Sequence, residues 1–450
     1  MHIKRTLLAI ACATLTLAAS AQDFNKHFED RTLRLDYNFS GTNRTQQISL
    51  DELSQSPGWY GRRHNLDSLL LNGNGQIEVK LPDSGKTIYR YSFSTLFQEW
   101  QSSEEATKVQ KSFENVFLMP FPKQPVDVTI TLTDTHNRIS ASLTHRVDPK
   151  DILIRQIGTT GQTPWKYVHQ GGDSKEVIDV AILAEGYTEK DMDTFWEDCK
   201  MATESFLTHE PFKSLQDKFN FIAVFSPSKE SGISIPHKNL WVNTAMGSNY
   251  DTFYSERYLT TLKLKRVHDL LSGIPYEHII ILANTENYGG GGIYNSYMMS
   301  SAHNVKTRPV IVHEFGHSFG GLGDEYFYDD QYETMYPADT EPWEPNLTTL
   351  VNFDSKWKDM LPTPQSTSKK GKAKKGQPAP AEPRIVNGVT ITEPDGKDLY
   401  TKVGVYEGGG YQSKGVYRPV QECRMKINEA PIFCPVCDRA IRRIVKYYTE

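Results

Sequence analysis

The residues best suited to chemistry lie at 310–326, V-I-V-H-E-F-G-H-S-F-G-G-L-G-D-E-Y. On a helix, residues i and i+4 sit one above the other, so His313 and His317 can present two imidazoles to one metal ion. Glu314 stands beside such an ion, where a carboxylate can take a proton from an activated water. The bland alternative is an amphipathic helix with two histidines on one face. The flanks argue against it: an apolar run precedes the motif, and a glycine-rich stop with two acidic residues follows. A single catalytic zinc ion, Zn(2+), is expected.

A catalytic zinc takes three protein ligands and leaves one position for water. Glycines at 320, 321 and 323 end the helix and can swing the chain back toward the metal. Asp324 is the first acidic side chain after that turn and is read as the third ligand. Glu325 is its rival, or a partner that orients a histidine. Upstream, glycines 289–292 run into I-Y-N-S-Y-M-M. Such a run lets the backbone approach another chain closely. Gly291, Gly292, Ile293 and Tyr294 can therefore form a sheet edge that pairs with an extended peptide substrate; a glycine-rich turn without a ligand is the other reading. No Lys-Ser or Lys-Thr follows, so this is not a phosphate loop.

Several elements must position these residues. At 450 residues the chain exceeds one simple core, and two domains are expected. A net charge of −5 lacks the basic footprint of a nucleic-acid binder. No apolar run of about 18 residues follows the N-terminus, so no transmembrane segment is expected. Residues 1–21 read as a signal peptide: Lys4 and Arg5 precede an apolar stretch, and Ala19-Ser20-Ala21 offers a small-residue cleavage site. Export follows, to the periplasm, the cell surface or the medium. A lipoprotein reading through Cys12 is weakened by Ala9, which stands where leucine is preferred.

Residues 22–150 read as β-rich. Residues 32–39, 76–81, 88–93 and 126–132 alternate apolar and polar side chains, with turn clusters at 72–75 and 82–85. This spacing predicts an antiparallel β-sandwich without a catalytic constellation. Residues 151–175 are polar and glycine-rich and read as a linker. From 176 to 450 the character is α/β. The run 177–184 reads as a buried strand, followed by a helix at 189–207, a strand at 219–225, a helix at 258–271 and a strand at 278–283. Residues 403–420 read as strand and loop, and 438–448 as a terminal helix. The fold class is therefore α+β and multidomain. Residues 365–383, rich in lysine and proline, read as a solvated insertion.

Of five cysteines, Cys12 leaves with the signal and Cys199 reads as a small buried apolar residue. Cys423, Cys434 and Cys437 cluster. In an oxidising compartment a disulfide between Cys423 and one of the others is expected, with the partner open. C-P-V-C also reads as a partial zinc knuckle, but it brings only three thiols to a site that wants four ligands.

The stretch H-E-F-G-H-S-F-G-G-L-G-D-E-Y resembles the metzincin signature H-E-x-x-H-x-x-G-x-x-H/D. It departs by one residue: the third-ligand position falls on Gly323, and the aspartate comes next. Cys423-Arg424-Met425 looks like the methionine turn of those enzymes, which implies Met425 beneath the imidazoles. More narrowly, residues 178–188, 226–236, 251–259, 288–295 and 415–437 resemble the bacterial IgA metallopeptidase family. The resemblance implies a secreted zinc-dependent endopeptidase with a metzincin-like catalytic domain behind a β-rich accessory domain. Glu314 would be the general base, and Tyr417 a candidate to stabilise the oxyanion. Its partner would be a protein or peptide, with host glycoprotein or immunoglobulin among the candidates, and a monomer is expected. A non-catalytic surface-binding protein with a structural zinc, and a zinc amidase acting on cell wall, are the alternative readings.

Overall fold

The computed structural model describes residues 24–328, 335–362 and 384–450. The expected signal peptide and the insertion at 365–383 lie outside the described residues. By compactness the chain divides into a first unit, up to Gly321 together with Ile441–Glu450, and a second unit, Leu322–Ala440.

In the first unit, alternation has built two four-stranded sheets. One has the order Lys111–Pro122, Phe28–Gly41, Gln46–Pro57, Arg155–Gln156; the other has Thr87–Phe93, Gly75–Lys80, Val126–Thr133, Ile139–Val147. All pairs are antiparallel except the short one that adds Arg155–Gln156. Val126–Thr133 shows why they pack: every second residue is buried. Phe39 and Phe117 of one sheet meet Phe93 of the other, with ring centroids 6.3 and 4.2 Å apart. The expected sandwich is present.

The same unit holds a six-stranded sheet in the order Gly290–Ile293, Tyr297–Ser301, His278–Ala283, Ile178–Glu185, Phe219–Val224, Trp165–Gln170. The four inner strands are mutually parallel and fully buried, which explains their largely apolar sequences. Both edge strands run antiparallel. Two expectations need correction. Residues 165–170, placed in a linker because of the glycines around them, form an edge strand, and their half-exposed W-K-Y-V-H-Q pattern suits that position. The helix expected over 258–271 shortens to Leu264–Leu270, because Thr260 exchanges backbone hydrogen bonds with Asn249.

A buried arginine ties the sandwich to this sheet's surroundings. Arg34 donates to Asp36 at 2.7 Å and to Asp269, at the end of the helix Leu264–Leu270, at 2.6 Å. Burial pushes the Asp36 carboxyl up against the pull of Arg34, so the pair depends on the guanidinium staying in place.

The second unit contains a three-stranded sheet in the order Phe327–Tyr328, Tyr411–Arg418, Tyr406–Gly409. Trp357 is fully buried and donates its indole N–H to the Gly404 carbonyl at 2.8 Å. Thr348 and Tyr417 exchange backbone hydrogen bonds at 3.1 and 2.8 Å.

Replacing Arg34 with alanine leaves Asp36 charged and buried. A loss of about 3–5 kcal/mol in unfolding free energy is expected from chemical denaturation; a change below about 1 kcal/mol would show that Arg34 is not the tie described.

Candidate metal centre

The helix Thr307–Ser318 carries the two histidines. Residues two apart on a helix are rotated by about 200°, so Phe315 and Phe319 face away from His313 and His317. The two phenylalanines stack 5.0 Å apart, and the apolar core receives them. Phe315 meets Phe206 at 4.9 Å and Phe212 at 5.6 Å; Phe319 meets Phe219 at 5.6 Å and His278 at 4.8 Å. His313, Glu314 and His317 are left half-buried on the other side. The two Nε2 atoms are 3.1 Å apart. Two nitrogens tetrahedrally bound to one zinc at about 2.0–2.1 Å would be separated by about 3.3 Å, so little movement is needed.

The chain leaves this helix through Gly321, whose φ of +58° closes the turn with its amide on the His317 carbonyl at 3.0 Å. At Gly323 a side chain has no room: a Cβ there would lie 2.5 Å from Leu347 Cδ1. Asn346 also grips the Gly323 amide at 2.8 Å and its carbonyl at 2.9 Å. The first acidic side chain after this clamp is Asp324. His313, His317 and Asp324 offer ligand atoms that all lie within 4.8 Å of one another. Two neutral imidazoles and one carboxylate make a donor set that suits zinc.

One tyrosine touches this set, and sequence reading missed it. The Tyr411 hydroxyl donates to Asp324 Oδ2, and the Gly410 amide donates to the Asp324 carbonyl at 2.7 Å. Gly410 and Tyr411, with φ of +55° and +66°, form the two-residue turn between paired Gly409 and Gln412. That turn type asks for left-handed residues at both positions, and a tyrosine there is strained. The available signal was G-G-G-Y, a hairpin turn with a bulky residue where glycine or asparagine belongs. Burial pushes the Tyr411 phenol well above its ordinary range, and the Asp324 charge adds to this, so it remains a donor. Tyr417, the tyrosine singled out from sequence, pairs in its strand with Glu407, whose charge and that of Arg384 act on its phenol. Met425 is fully buried, and its carbonyl accepts the Glu325 amide at 2.8 Å.

Glu325 faces away from this group. Its Oε1 accepts from Asn346 at 2.9 Å and lies 3.2 Å from Cys437 Sγ. The expected disulfide needs correction: Cys423, Cys434 and Cys437 are free, and the sulfurs of Cys423 and Cys437 are 3.8 Å apart. All three gather around a carboxylate that a thiol count could not supply.

The strand Gly290–Ile293 lies against the histidine helix. A Cβ at Gly290 would be 2.7 Å from Glu314 Oε1, and one at Gly292 would be 2.4 Å from the Glu314 carbonyl oxygen. The strand is a sheet edge, as its glycines imply, but the proposed substrate stretch is only partly open. Tyr258 bridges Gly290, and the Ser94 amide donates to the Tyr294 carbonyl at 3.0 Å. Gly291 and Gly292 are half-exposed, whereas Ile293 and Tyr294 are 2% and 8% exposed. The β-branched and aromatic side chains at its end turn into the core.

A mixed sheet thus packs its glycine edge strand beside the H-E-x-x-H helix. Residues 167–382 and 394–445 match the family IgA Peptidase M64, and residues 23–144 match Peptidase M64 N-terminus. The chain belongs to the IgA peptidase M64 family, which implies a metal cofactor. No curated protein matches it.

Two variants probe this geometry. Tyr411→Phe should keep the fold and weaken zinc binding about 10–100-fold, read by competition with a chromophoric chelator, because Asp324 loses its orienting donor. Gly292→Ala should cost about 1–3 kcal/mol in stability, since the new methyl group must displace the turn that carries Glu314. Wild-type melting and zinc affinity in that variant would contradict the close approach.

Proposed function

We propose that the chain is an exported zinc-dependent endopeptidase in which His313, His317 and Asp324 hold the ion. When bound, zinc supplies Lewis acidity, polarising the scissile carbonyl and easing ionisation of the attacking water. The residues of the chain do the rest. Glu314 takes a proton from the water as its oxygen bonds to the carbonyl carbon. It then delivers that proton to the amide nitrogen as the C–N bond breaks. Tyr411 keeps Asp324 in one orientation through a hydrogen bond to the outer carboxylate oxygen.

The juxtaposition of Glu314 with the glycine strand carries this reading. Gly290 and Gly292 leave no side chain between the Glu314 carboxylate and the strand. An extended peptide aligned with Gly291 and Gly292 would therefore bring its backbone next to the base. This favours a peptide substrate over a cell-wall amide, since pairing along a strand edge recognises repeated backbone N–H and C=O groups. Immunoglobulin A is the first protein to try, because the family description carries that name. Export through residues 1–21 would bring the enzyme to substrates outside the cytoplasm.

Glu314→Gln tests the reading. It should retain zinc at wild-type stoichiometry and lower cleavage of an unfolded protein substrate about 10²–10⁴-fold. Mass spectrometry of a digested peptide library reads the loss and gives the cleavage preference of the wild type. Undiminished cleavage by the variant would remove Glu314 from the mechanism.

A further inference from the structure

The second unit contains a cluster that the peptidase reaction does not use. Cys423, Cys434, Cys437 and Glu325 are all fully buried, and one ligand atom from each lies within 4.8 Å of the others. A carboxylate buried among thiols is costly unless it is protonated or something cationic joins it. Glu325 Oε2 has no hydrogen-bond partner among the described residues. We propose that these four side chains form a second metal site, structural and four-coordinate, for zinc or another thiophilic divalent cation.

The distances match such a site. Two sulfurs bound tetrahedrally to zinc at about 2.3 Å stand about 3.8 Å apart, and Cys423 Sγ and Cys437 Sγ are 3.8 Å apart. A sulfur and a carboxylate oxygen on the same ion stand about 3.5 Å apart; Cys437 Sγ and Glu325 Oε1 are 3.2 Å apart. The backbone is arranged as thiolate ligands require. The Cys434 amide donates to Cys423 Sγ at 3.3 Å, and the Cys437 amide donates to Cys434 Sγ at 3.5 Å. Cys434 immediately precedes the helix Pro435–Thr449, whose N-terminus favours negative charge. Three thiolates and a carboxylate exceed the charge of a divalent ion by two, and the positive charge of Arg418 acts on Glu325 from nearby. Four ligands with no open position make a closed site of the structural kind.

The consequence is local. Asp324 and Glu325 are neighbours in sequence, and the Glu325 amide is already bound to the Met425 carbonyl. A metal on Glu325 and three cysteines would lock the turn that carries Asp324 to the segment 423–437.

Cobalt substitution in the full chain tests this. With cobalt as the probe, a near-ultraviolet sulfur-to-metal charge-transfer band is expected, with two ions bound per chain. In the His313→Gln/His317→Gln variant, one ion and the whole band should persist. The band should vanish in Cys434→Ser/Cys437→Ser. Should that variant fail to fold, alkylation of the wild type decides. The three thiols should resist iodoacetamide until a strong chelator is added and then react together. A disulfide within the cluster, thiols that react at the same rate with and without chelator, or cobalt binding without the band would overturn the proposal. Peptidase activity retained in the His313→Gln/His317→Gln variant, with the band intact, would count against the catalytic reading alone.

Discussion

The helix Thr307–Ser318 is gripped from behind by stacked phenylalanines, and the geometry of the histidine pair depends on that grip. Phe315 and Phe319 sit two residues after His313 and His317, so burying the first pair among Phe206, Phe212, Phe219 and His278 turns the second pair outward. Deleting one such ring from a core costs about 3–5 kcal/mol, a large share of the about 5–15 kcal/mol that stabilises a typical domain. The energy of one metal–imidazole arrangement does not have to hold the helix; the core already does. The glycine strand adds a second restraint, because its backbone lies where Cβ atoms would strike Glu314.

The turn after the helix sends two consecutive acidic residues to different tasks. Asn346 clamps Gly323 on both its amide and its carbonyl, and no side chain fits at that position. Asp324 takes the Tyr411 hydroxyl, while Glu325 enters the cysteine cluster. The one-residue departure from the metzincin spacing thus coincides with a glycine packed against Leu347. It also frees the following carboxylate for a separate role.

Much of this was legible before the structure. His313, Glu314 and His317 are fixed by helical spacing, which is local. The sandwich was readable because each strand alternates over a half-buried sheet, and the parallel strands because both faces are covered. What escaped reading is non-local. Tyr411 reaches Asp324 across 87 positions in the chain through a strained hairpin turn, and no periodicity announces it. Glu325 meets Cys437 across 112 positions, so a knuckle motif with three thiols could not name its fourth member. The edge strand at 165–170 was hidden because glycines flank it and a register shift at Val168 breaks its alternation. The helix at 258–271 was overextended because apolar spacing says nothing about an amide already committed to Asn249.

The proposed chemistry depends on which side chains share an ion. Anomalous diffraction from crystals of the zinc-loaded chain, recorded above and below the zinc absorption edge, locates the metal directly. A peak bounded by His313 Nε2, His317 Nε2 and an Asp324 carboxylate oxygen is the expected result, with Glu325 among the cysteines. A peak coordinated by Glu325 in place of Asp324, or no peak beside the two histidines, would contradict it.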